Sequence, residues 1–126
     1  VEVSTMCRRG DIYYIDFGMN VDTRKQNGIR PAVIVSNNKA NEHSPVITVV
    51  PLTSKTHKKR LLPTHVYIPI SAGFGLSCGS LVLAEQVEAI DKDRLLEKKG
   101  SIMSAEIMEK ITKAIQIQIG VFEEYN

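Results

Sequence analysis

An arginine held between a glycine and a proline is the first place in this sequence where the residue types suggest chemistry. In Gly28-Ile29-Arg30-Pro31 a long polar loop ends at Gly28 and the rigid Pro31 follows, so the backbone of Arg30 is held while its side chain projects. A guanidinium is a planar fork of donors that matches a phosphate; the plain alternative is a surface arginine at a strand start. Thr53 ends a β-branched run, where a hydroxyl fixed by a sheet can donate to a phosphate oxygen or simply cap the loop, and Ser54 stands beside it. The following loop carries Lys55, Lys58, Lys59 and Arg60, a run that is either solvated or steers a polyanion. Such lysines position a chain of phosphates and do not read its sequence.

Aromatic and amide side chains nearby suit bases instead. Phe17 and Tyr14 can stack on a splayed base, although aromatic strand residues are mostly core; Phe17, at the loop edge, is the better placed of the two. Gln86, at the polar end of the run 80–90, is a candidate base reader with Glu85 as its alternative, and solvent-facing alternation accounts for both as well. His57 lies among basic neighbours that disfavour its charged form and reads as solvated, His65 reads as a half-buried strand residue, and His43 sits in a turn. Cys7 and Cys78 stand far apart without His or Cys at zinc spacing. Both read as reduced thiols, and neither a metal nor another cofactor is expected.

The elements that must carry these residues are short. Residues 11–17 mix aromatic and β-branched types between two glycines and predict a first strand; 18–29 are polar, contain Asn27-Gly28, and predict a loop. Residues 30–37 predict a second strand that tolerates Pro31 at its start, and 45–52 a central third strand whose near-continuous apolar character suits burial on both faces. A polar loop at 53–63 precedes a fourth strand over 64–70. A fifth is expected over 80–90, followed by a turn at 91–94 and a short edge strand at 95–102. Ser104 then caps a helix whose apolar stripe is Ile107, Met108, Ile111, Ala114, Ile115, Ile119 and Phe122. The pattern predicts a mainly β domain with a C-terminal helix, a small antiparallel barrel that is partly closed.

Length and composition allow that and little else. The 126 residues make one domain, with 1–8 read as a frayed or non-native end, and 43% hydrophobic with 24% charged residues supports a proper core. No apolar run is long enough to span a membrane, so no membrane partner and a cytoplasmic location are expected. Charge is unevenly distributed: residues 1–75 hold ten Lys/Arg against five Asp/Glu, and 76–126 hold six against nine. A basic segment of this kind is what a phosphate-binding protein shows, and also what many basic loops show.

Taken in order, Arg-Gly-Asp-Ile-Tyr-Tyr-Ile-Asp-Phe at 9–17, Gly-Ile-Arg-Pro-Ala-Val-Ile-Val-Ser-Asn-Asn at 28–38, Pro-Leu-Thr-Ser at 51–54, Leu-Pro-Thr-His-Val-Tyr-Ile at 62–68 and Leu-Ala-Glu-Gln-Val-Glu-Ala-Ile-Asp-Lys-Asp-Arg-Leu at 83–95 make the chain resemble the MazF/PemK group of bacterial toxin endoribonucleases. The resemblance runs from about Arg9 to Phe122. It implies a CcdB-like, SH3-type barrel, a homodimer, and metal-independent, sequence-specific cleavage of single-stranded RNA that leaves a 2′,3′-cyclic phosphate or 3′-phosphate and a 5′-hydroxyl. It also implies a cognate antitoxin whose extended segment occupies the RNA groove. Arg30 and Thr53 are then the catalytic pair, and Phe17, Gln26, Gly28, Ser54, Lys55, Lys58, Lys59 and Gln86 the RNA-binding set. Cleavage through the substrate's own 2′-hydroxyl needs a proton acceptor there, a donor at the departing 5′-oxygen, and donors for the phosphorane oxygens. Arginine serves the last of these better than the first, so the base stays open.

The chain departs from its relatives in the first loop. Many carry Ser-Glu-Gln there, whereas this sequence has Arg24-Lys25-Gln26; Asp22 takes over the acidic role, or no carboxylate is needed and the added charge strengthens phosphate attraction. Two other functions fit the same barrel. One is a CcdB-like poison of DNA gyrase, which has no use for Arg30 or Thr53; the other is an RNA-binding module without cleavage.

Overall fold

The computed structural model describes residues 6–19, 26–56 and 61–122. Among these residues are seven antiparallel strands and two α-helices: β1 (Asp11–Asp16), β2 (Ile29–Ile34), α1 (Asn38–His43), β3 (Val46–Thr53), β4 (His65–Ile68), β5 (Ser80–Leu83), β6 (Glu88–Asp91), β7 (Leu95–Ser101) and α2 (Ala105–Gln118). The strands form one sheet in the order β4-β5-β3-β2-β1-β7, and β6 pairs with β3 as well. Among the described residues β4 and β7 do not pair with each other, so the sheet is a curled barrel left open along one seam.

The β-branched run becomes β3, the hub of the sheet. One edge pairs with β2, while the other pairs first with β6 (Val46–Val49) and then with β5 (Leu52 and Thr53). Ile47, Val49, Val50, Pro51 and Leu52 are buried, as an apolar strand with neighbours on both sides and cores on both faces requires. One core holds Ile12, Val33, Val50, Leu52, Ile68 and Val82 under the α2 residues Ile111 and Ala114. The other holds Tyr13, Ile15, Phe17, Ala32, Ile34, Ile47, Val49 and Cys7. Successive residues of β1 and β2 divide between the two clusters, the period-two consequence of a sheet buried on both faces.

Three expectations are corrected. The strand expected over 80–90 is broken by a turn of 3-10 helix at Ala84–Gln86. Between the pairs Leu52–Val82 and Val49–Glu88 one chain has two residues and the other five, and the surplus is expelled as that turn. The second strand stops at Ile34 instead of continuing to Asn37. Asn37 caps α1, its side-chain oxygen accepting from the Ala40 N–H at 2.8 Å, a competing local bond that a run of Asn-Asn-Lys-Ala offers. The C-terminal helix does begin behind Ser104, whose hydroxyl accepts from the Ile107 N–H at 3.2 Å, but it ends at Gln118, and Ile119 and Phe122 are exposed.

A glycine pair docks the 74–78 segment onto β7. A Cβ on Gly75 would strike the Lys99 carbonyl, and one on Gly100 would strike the Phe74 carbonyl, so the two backbones approach as only glycines permit. That contact brings Leu76, Ser77 and Cys78 beside Lys99.

Candidate active site

Arg30 is the second residue of β2, opposite Ile15 of β1, and Thr53 closes β3 opposite Leu81 of β5. Both therefore stand at strand ends, where the sheet fixes the backbone and the side chain reaches past it. They line one cleft of about 160 Å³, together with Gln26, Ser54, Lys55, Tyr14, Lys99, Pro31, Leu52, Leu76, Ser77, Cys78 and Ser80. This is smaller than the pockets of about 300–1,000 Å³ that engulf a small molecule, and it suits a notch gripping one unit of a longer ligand.

Three polar side chains in the notch, Arg30, Thr53 and Lys99, are held by the protein. The Nε of Arg30 donates to the Asn27 carbonyl at 3.1 Å, which leaves its terminal amino groups for a ligand. The Thr53 hydroxyl accepts from the Lys55 N–H at 3.2 Å, so its own proton is what it offers outward. Lys99 donates through Nζ to the Tyr14 hydroxyl at 2.9 Å and lies 5.0 Å from the centre of that ring. Three cations line the cleft (Arg30, Lys55 and Lys99), and no carboxylate or histidine is among its described lining residues. An anion bound there meets three cationic side chains and no described like charge.

The structure brings Arg30, Thr53, Ser54, Lys55 and Gln26 together and leaves Phe17, Gly28 and Gln86 outside the cleft lining. Phe17 is not a stacking platform: it is 8% exposed and packs with Tyr13 and Ile15, because alternation along β1 puts 13, 15 and 17 on the same side. Tyr14, between them, faces the cleft instead. Gly28 lies at the base of the loop, with φ +70, where its N–H donates to Gly18 and its carbonyl accepts from Phe17. Gln86 does not line the cleft; its Oε1 accepts from the Gln26 N–H at 2.9 Å and ties the first loop to the Ala84–Gln86 turn. Lys58 and Lys59, like Asp22, Arg24, Lys25 and His57, lie outside the described residues. Lys99 was missed because it belongs to the acidic half of the chain.

His65 and Glu85 have other work. The Leu62 N–H donates to His65 Nδ1 at 3.2 Å, which assigns the ring proton to Nε2, and Nε2 donates to Glu85 Oε2 at 2.9 Å. Thr64, fully buried, donates to the other Glu85 oxygen at 3.0 Å. This network braces β4 against the turn that carries Gln86. Among the described residues no group of three or more His, Cys, Asp or Glu is arranged to hold a metal ion, and no helix is long and apolar enough to cross a membrane.

The model of the PemK-like, MazF-like toxins of type II toxin-antitoxin systems matches residues 8–119. The chain belongs to that family. It is 39% identical over 116 residues to the endoribonuclease MazF of Staphylococcus saprophyticus, covering 92% of this chain and 93% of that protein. Among solved structures it is similar to a mycobacterial endoribonuclease in complex with its cognate antitoxin, with TM-score 0.74 and 29% identity over 92% of this chain and 97% of that one. It also shares the fold of MazF from Deinococcus radiodurans, with TM-score 0.75 and 22% identity over 91% and 97%. The open, curled sheet with a C-terminal helix is thus the MazF/PemK architecture, and the family match spans both halves of the cleft.

Proposed function

We propose that this chain is the endoribonuclease toxin of a type II toxin-antitoxin pair: it cuts single-stranded RNA at short sequences and is neutralised by a cognate antitoxin. The observation that carries the reading is the cleft in which Arg30, Lys55 and Lys99 converge with the Thr53 hydroxyl and no described carboxylate opposes them. Family membership and the endoribonuclease relative support it.

The geometry suits attack by the ribose 2′-hydroxyl on its neighbouring phosphate. Negative charge grows on the non-bridging oxygens as the phosphorane forms, and the terminal amino groups of Arg30 with the Thr53 hydroxyl supply donors aimed at it. The nucleophile belongs to the substrate and fixed cations hold the phosphate, so the reaction proceeds without a metal and yields a 2′,3′-cyclic phosphate, or its 3′-phosphate, and a 5′-hydroxyl. Lys55 and its neighbours draw the polyanion in, and the exposed backbone of a single strand lets the notch take one phosphate at a time. The enzyme works in the cytoplasm on messenger RNA as a homodimer.

A mixed RNA pool incubated with the purified protein in excess chelator, with both new ends sequenced and chemically typed, tests this. Cleavage with 5′-hydroxyl ends at a common short motif is expected. Activity that chelator abolishes and magnesium restores sinks the metal-free chemistry, and binding without cleavage leaves only an RNA-binding module.

A further inference from the structure

We propose that Tyr14 is the proton donor to the departing 5′-oxygen and that Lys99 holds and recharges it; this rests on the cleft being where RNA is cut. Cleavage leaves a 5′-alkoxide, a poor leaving group unless it is protonated as the bond to phosphorus breaks. The described wall of the cleft holds no carboxylate or histidine for the task. His65 is engaged at both ring nitrogens, and its side chain is only 3% exposed. Tyr14 does line the cleft, on the strand next to Arg30, with Pro31 as its cross-strand partner.

Its hydrogen bond sets the direction of donation. Lys99 Nζ donates to the phenolic oxygen, and an ammonium has no lone pair to accept in return, so the phenolic proton is left to point elsewhere. Lys99 is placed by the close contact of Gly75 and Gly100, which leaves its backbone little room to move. The step balances as follows. O2′ bonds to phosphorus and its proton passes to solvent; the P–O5′ bond breaks with its electron pair kept by O5′, and O5′ takes the Tyr14 phenolic proton. The phenolate takes a proton from the Lys99 ammonium, which regains one from water.

Tyr14→Phe keeps the ring and removes the proton. On ordinary RNA its cleavage rate falls about a hundredfold, with RNA affinity and melting temperature unchanged. On RNA whose scissile 5′-oxygen is replaced by sulfur, which departs without a proton, Tyr14→Phe cuts at the wild-type rate. Lys99→Met, compared at saturating RNA to set aside its weaker grip on the phosphate, shows a smaller loss on ordinary RNA and the same rescue by sulfur. Equal losses on both substrates mean that Tyr14 only shapes the cleft, and a wild-type rate on ordinary RNA means that it donates nothing; either overturns the proposal. A sulfur-rescued loss in Lys99→Met alone makes the lysine the donor and overturns it as well. Arg30→Ala run in parallel separates the two readings. If that variant cuts normally, the cleft itself is misread, whereas if it is inactive and Tyr14→Phe is not, only the assignment of Tyr14 fails.

Discussion

Arg30 gives its Nε–H and Thr53 an oxygen lone pair to the protein, each keeping donor hydrogens for a ligand, and that division predicts how their variants behave. Arg30→Ala and Thr53→Ala each lower the cleavage rate about a hundredfold or more, since each removes a donor to the transition state, while melting temperatures stay near wild type because Arg30 is exposed and Thr53 only half-buried. Lys55→Ala has a different signature in single-turnover kinetics. The rate at saturating RNA holds, affinity falls, and the slope of log affinity against log salt weakens by about one charge contact. These positions were legible in the sequence because a Gly-Ile-Arg-Pro step and a strand-end Thr-Ser are visible locally. Tyr14 and Phe17 come out the other way round: the loop-edge position favours Phe17 in the sequence, whereas the structure buries Phe17 and turns Tyr14 to the cleft. Applying the alternation of β1 strictly, with Ile15 as a certain core residue, would have sent Phe17 inward and left Tyr14 for the cleft.

At the level of elements, the decisive event is the expulsion of Ala84–Gln86 from the edge of β3. Residues 80–90 read as one strand because apolar and alternating character run through them without a break, and only the pairing register reveals five residues facing two. The expelled turn does two jobs. Glu85 satisfies the buried Thr64 and His65, so Glu85→Ala strands two polar groups and costs about 2–3 kcal/mol in urea denaturation. Gln86 accepts from the Gln26 backbone and secures the loop that leads to Arg30. Removing that acceptor in Gln86→Ala forfeits about 1 kcal/mol of loop ordering, so kcat/KM falls about five- to tenfold with little change in the unfolding midpoint. Equal activity in Gln86→Ala and wild type, measured at low RNA concentration, would show that the loop is positioned by other means. The strands at 11–16 and 46–53 and the capped helix α2 were legible because the first is bounded by glycine, the second is a nearly continuous β-branched run, and the helix repeats its apolar residues at three- and four-residue spacing behind Ser104.

Over the whole molecule, the two-faced sheet buries a thiol and gathers a cationic cleft, and each has a bulk consequence. Burial raises the Cys7 thiol above its ordinary value of 9.0, and burial likewise raises the Tyr13 phenol above 10.0. Both groups ionise first in the unfolded chain. Their contribution to stability is therefore complete below about pH 9 and is lost as pH climbs through the folded values. Urea midpoints should hold to about pH 8 and drop by about pH 10, and the drop should be smaller in Cys7→Ala. The cleft draws cations from both halves of the chain, Arg30 and Lys55 from the basic one and Lys99 from the acidic one, so charge by segment located the surface only in part. An antitoxin that silences this enzyme by occupying the same groove must match that charge with acidic residues on an extended segment. Inhibition is then competitive with RNA and screened by salt. Raising salt from about 50 to about 200 mM weakens the antitoxin peptide and RNA together, and Arg30→Ala or Lys55→Ala weakens both in the same order. Titrating labelled RNA against a preformed complex with the antitoxin reads this directly. Displacement of RNA in step with lost cleavage is expected, whereas an inhibited complex that still binds RNA at full affinity places the antitoxin away from the cleft.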